Sequence, residues 1–220
     1  MTSAPIVDVR SPAVWRELLS SGALGRVLRW QPVTVASAGA VAIGLADIVD
    51  SGLVTLRVTA LMLAVGVGFV IDDASAVSSA AVPVSRAHQV TLRITVGGLA
   101  VAVVYAAIAV PERWAGVSVV TGVALEAGAL VVAALAAAVI AHLRFDAAEP
   151  GFVGAGVVAA VLVTAIALPQ QWALIPSVGP EWRDAHLRWA GLLALGVAAL
   201  IAGAREPATR RRLKLRALLR

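Results

Sequence analysis

The stretch VSVVTGVALEAGALVVAALAAAVIA, from Val117 to Ala141, is 25 residues long and carries one charge, Glu126. A helix needs about 20 predominantly apolar residues to cross the hydrocarbon of a bilayer. Inside lipid each backbone polar group must be satisfied within the chain, so this stretch reads as a membrane-crossing helix. Its small residues (Gly122, Ala124, Gly128, Ala129, Ala133, Ala134) allow neighbouring backbones to approach. Close packing, rather than hydrophobicity, is what joins helices in lipid. The span is therefore expected at the centre of a bundle.

Five further apolar stretches flank it: Val33 to Val49, Leu53 to Ile71, Ile94 to Val110, Gly151 to Leu168, and Leu187 to Ala204. The predicted fold class is all-α, a polytopic membrane protein with six transmembrane helices. Composition agrees. The 220 residues are 60% hydrophobic and 14% charged, against about 25% charged in soluble domains. Almost all the chain is committed to spans, so no separate soluble catalytic domain is expected. The absence of cysteine removes disulfides, thiolate chemistry and cysteine-held metal. The net charge of +5 lies beside apolar spans, so the expected partner is membrane lipid and not nucleic acid.

Residues 1–32 read as an N-terminal cytoplasmic segment with an interfacial amphipathic helix. Asp8, Arg10, Arg16 and Glu17 interrupt the apolar core that a secretory signal requires. Ser11 and Pro12 make a helix start, and Val14/Leu18, Trp15/Leu19 and Leu24/Leu28 recur at four-residue spacing. A polar leader whose apolar residues touch the bundle is the alternative. Residues 33–204 form the expected six-helix domain and 205–220 a basic cytoplasmic tail.

Basic residues fall on alternate breaks. One side receives Arg10, Arg16, Arg26, Arg29, Arg86, Arg93, Arg144 and the seven of the tail, fourteen in all; the other receives Arg57, Arg113, Arg183 and Arg188. An excess of arginine and lysine marks cytoplasmic loops, so both termini are expected inside the cell. Trp114, Trp172, Trp182 and Trp189 gather towards the opposite side, as interfacial anchors do.

The cytoplasmic break 72–92 begins Asp72-Asp73 and continues through Ser75, Ser78 and Ser79 to Pro83 and Arg86. Asp73 or Ser75 can cap a short helix of small residues that Pro83 stops. Such a helix could seat in a partner's groove and pass on its motion; a polar hairpin joining two spans is the plain alternative. The outer break 169–186 holds Trp172, Pro176, Gly179, Pro180 and Trp182, and reads as a structured cap dipping into the interface or as an ordinary loop held by tryptophans.

In this layout the chain resembles the membrane subunits of bacterial ABC transporters of the type-2 export class. The shared features are an amphipathic helix from Ser11 to Trp30, six spans, a second break suited to a coupling helix, and an outer break suited to a re-entrant element. The stretch from Phe69 to Arg93 is similar to actinobacterial members. The resemblance implies a permease that dimerises and seats Asp72, Asp73, Ser75, Ser78, Ser79, Pro83 and Arg86 on a separate ATPase subunit, which holds the ATP and Mg. This chain carries no phosphate-binding G-x-x-x-x-G-K-[ST] loop of its own. A vitamin-importer membrane component and a non-transporting scaffold are the alternative functions.

Glu126 is the one acid well inside a span. A charge at mid-membrane costs about 2.5–3.5 kcal/mol on insertion scales, so it faces protein or water. It either lines a substrate path, with Thr121 nearby, or is protonated, or bonds to Thr121, another helix or a dimer mate. Arg57, one turn into the second span, is expected to reach towards Asp47 and Asp50 or lipid headgroups. Enzyme chemistry finds little footing. Asp72-Asp73 lacks the second acidic cluster of a metal–pyrophosphate site, Gly116-Val117-Ser118 fails the G-x-S-x-G pattern, and His88, His142 and His186 stand apart with no metal-ligand spacing. No catalytic residue, cofactor or metal is assigned to the chain itself.

Overall fold

Proline and glycine punctuate the helices. The computed structural model describes residues 30–46, 52–72, 86–112 and 117–204. Those residues form six α-helices: α1 (Trp30–Ala46), α2 (Gly52–Gly68, extended by a 3-10 turn, Phe69–Ile71), α3 (Arg86–Glu112), α4 (Val117–Phe145), α5 (Pro150–Ala167) and α6 (Trp182–Ala204). Pro150 occupies the first turn of α5, where its missing N–H costs nothing. Leu168 turns extended ahead of Pro169 and ends that helix. Just past the end of α4, Asp146 adopts a left-handed φ of 50°, and the Ala147 N–H bonds back to the Ala141 carbonyl.

Among the described residues, α2, α3, α4, α5 and α6 are long and apolar enough to cross a membrane. At 17 residues, α1 is shorter. The described residues are all-helical, as expected. The expected amphipathic helix from Ser11 to Trp30 lies outside them except for Trp30 itself, and so does the basic tail.

Four boundaries differ from the hydropathy reading. α1 begins ahead of Val33, at Trp30. α3 runs 27 residues, because the polar run Arg86–Arg93 is helical rather than part of the break 72–92. α4 continues past Ala141 to Phe145. The outer break closes on Pro180 and Glu181 rather than reaching residue 186, since α6 begins at Trp182.

The helices alternate in direction, as glycine contacts between them show. A Cβ on Gly66, near the end of α2, would lie 3.2 Å from the Pro32 carbonyl at the start of α1. One on Gly154, early in α5, would lie 2.8 Å from the Ala134 carbonyl of α4. Small residues at such crossings let the backbones come together. One end of the bundle thus gathers the starts of α1, α3 and α5 with the ends of α2, α4 and α6. The other end gathers the remaining termini.

The expected central position of the fourth span is found. α4 packs on α2, α3, α5 and α6, and Ala134, Ala138 and Val139 are fully buried. α5 and α6 pack against α4 more than against each other. Between them runs an apolar trough floored by α4.

Candidate functional site

Two charges meet inside the bundle. Arg57 sits on α2 and Glu126 on α4, and the Arg57 Nε and Nη2 atoms donate to Glu126 Oε2 and Oε1, each at 2.8 Å. Glu126 is 3% exposed, so its carboxylate is shielded from lipid by protein. A two-pronged arginine–carboxylate pair is among the stronger charge-assisted contacts. It also makes an acid tolerable at this depth. The expected reach of Arg57 towards Asp47 and Asp50 is replaced by this pairing, and both aspartates lie outside the described residues. Thr121, the other residue expected on a substrate path, is on an exposed face of α4.

α6 completes the cluster. His186 Nε2 lies 3.3 Å from Glu126 Oε1, and His186 Nδ1 is 2.6 Å from the Trp182 carbonyl. The Trp182 and His186 rings lie close, with centroids 4.2 Å apart, and the Arg57 guanidinium stands 5.7 Å from the Trp182 ring centre. Gly122 makes room for this: a Cβ there would lie 2.6 Å from both His186 Nε2 and Trp182. On α3, the buried Tyr105 hydroxyl makes no hydrogen bond among the described residues and lies within electrostatic reach of Glu126. His186 reads as isolated in the sequence because Glu126 stands on a helix far upstream. The available signal was two opposite charges on spans entering from one end, with a histidine in the first turns of a third.

A cavity of about 30 Å³ opens beside the ion pair, lined by Arg57, Glu126, Leu130, Val161, Ile175 and Trp189 among others. That is room for one water-sized group. Ile175 belongs to the loop 169–181, which is held firmly. The Trp189 indole N–H donates to the Leu174 carbonyl at 2.6 Å. Arg188 donates to the carbonyls of Ala173 and Gln171 and covers the Trp172 ring at 5.2 Å. Trp189 stands two turns into α6, and its side chain leans back over the turn before it, where Leu174 receives the bond. These bonds pack the loop against the side of α6, and Pro176 is buried within it. Trp182, expected in the cap, is the first residue of α6 and faces the ion pair instead.

At the opposite end, Asp72 follows the 3-10 turn of α2 and is 1% exposed. Its Oδ1 accepts the Gly151 N–H at 2.7 Å. Gly151 is in the first turn of α5, so a carboxylate 79 positions earlier satisfies one of the free donors there. Arg93 of α3, also buried, donates from Nη1 to the Ile71 carbonyl at 3.1 Å. Of the other residues expected to meet an ATPase, Asp73, Ser75, Ser78, Ser79 and Pro83 lie outside the described residues, and Arg86 opens α3. Among the described residues no group of acids and histidines is arranged to hold a metal.

Several long apolar helices around buried charge define a multi-pass membrane protein. Comparison with protein-family models, curated proteins and solved structures finds no match for the chain.

Proposed function

We propose that the chain is the membrane-spanning permease subunit of an ATP-driven exporter of the ABC type. It would form the translocation path with a second copy or a similar chain, in the bacterial plasma membrane. A separate cytoplasmic ATPase subunit would bind ATP and Mg. The observation that carries this reading is the tethering on either flank of residues 73–85. Asp72 is bonded to the start of α5, and Arg93 ties α3 to the end of α2. A push on that segment would be delivered to three helices at once, which a simple connecting hairpin does not require. Coupling further needs the segment's contacts to differ between nucleotide states, since only differential affinity shifts an equilibrium. The uneven distribution of basic residues supports placing this end in the cytoplasm.

The test is purification in mild detergent with identification of the accompanying subunits. An ATPase that copurifies, and whose turnover drops when Asp72 is changed to Asn, is the expected result. Absence of any ATPase from the native complex would leave a scaffold as the reading. A vitamin-importer component is the second reading, favoured by the loop 169–181 pinned to α6 over the buried Arg57–Glu126 pair. It predicts a copurifying energising module and a solute retained by the isolated chain.

A further inference from the structure

The trough between α5 and α6, open along one side, has a volume of about 270 Å³. Its floor is Ala129, Ala133, Ala136 and Ala137 of α4, ending near Ile140. The helical rise from Ala129 to Ile140 makes it roughly 16 Å long. Over that length the centre of a carbon-sized atom can move across about 17 Å², so with atomic radii included the trough is about 7 Å wide, room for extended hydrocarbon. A helix about 10 Å across is too wide for it. The trough also adjoins the small cavity beside the ion pair: Leu130, Val161 and Trp189 line both.

An apolar trough too narrow for a helix therefore leads to a buried arginine–carboxylate pair with space for one small group. The pair is mutually neutralised, yet offers both donors and acceptors. A phosphate head exceeds the space; a hydroxyl fits it. We infer that this is a binding site for a single-chain amphiphile with a small uncharged head, such as a long-chain alcohol, its hydroxyl at Arg57 and Glu126 and its chain along the alanine floor. The site stands on its own geometry and does not depend on the presence of an ATPase.

The experiment uses the full chain in phosphatidylcholine vesicles and a diazirine-bearing hexadecanol as photoprobe, with labelled peptides identified by mass spectrometry. Saturable labelling of α4 and α6 at the trough is expected, reduced about tenfold or more by excess hexadecanol. Ala137→Leu and Ala199→Leu, which fill the trough from its floor and from α6, should each lower labelling to a similar degree. Arg57→Met together with Glu126→Met, which removes both charges at once, should weaken it while leaving the protein folded. Labelling spread evenly over the lipid-facing helices, or unchanged in both filling variants, would overturn the site. Competition by phosphatidylglycerol as strong as by hexadecanol would overturn the assignment of a small uncharged head.

Discussion

Glu126 is held by Arg57 through two hydrogen bonds in a setting where neither charge tolerates solitude. Removing one partner of a buried pair costs about 3–5 kcal/mol, whereas replacing both with apolar groups of similar size is often neutral or stabilising. Arg57→Met is therefore expected to lower unfolding stability by about that amount. The double variant Arg57→Met with Glu126→Met should recover most of it. Thermal melts of the detergent-purified protein check this; equal losses in the single and double variants would show that the pair is not the source. Glu126 was legible in sequence as a buried acid needing a partner. Which partner was not, because Arg57 and Glu126 are 69 positions apart and Asp47 and Asp50 offered Arg57 nearer candidates.

Helix ends are where hydropathy misleads. The run Arg86–Arg93 and the segment Trp182–Leu187 are polar enough to resemble loops, yet helical hydrogen bonding continues through both. A helix leaving the hydrocarbon can keep its backbone bonded while its side chains meet polar surroundings. The middles of the spans, by contrast, were readable because lipid admits little else there. Two predictions belong at this scale. Trp189→Phe deletes the indole bond to Leu174, at a cost of about 1 kcal/mol, and should speed amide exchange in residues 169–181. Gly151→Ala would bring a Cβ within 2.8 Å of the Phe69 Cα, a backbone atom that cannot swing aside. A loss of about 1–3 kcal/mol is expected, with the junction of α2 and α5 disturbed first in hydrogen exchange.

At the scale of the whole molecule, the central place of α4 followed from its small residues, while the trough beside it did not. A groove between helices depends on how neighbours lean, and no single span records that. Orientation is testable with little engineering, since the chain has no cysteine. Ser177→Cys lies in the exposed loop before α6, and Ala148→Cys in the exposed turn between α4 and α5. A membrane-impermeant maleimide applied to intact cells should label the first and spare the second. The reverse pattern would place the basic end outside and remove the docking surface from the cytoplasm.

The bond from Asp72 to Gly151 also has a bearing on biogenesis. During synthesis the acceptor emerges long before the amide it will meet, so the first turn of α5 finds this carboxylate only on a helix already resident in the bilayer. Loss of that acid should accordingly show as delayed docking of the late hairpin, detectable as prolonged protease sensitivity in newly made chains, while the earlier spans insert on schedule.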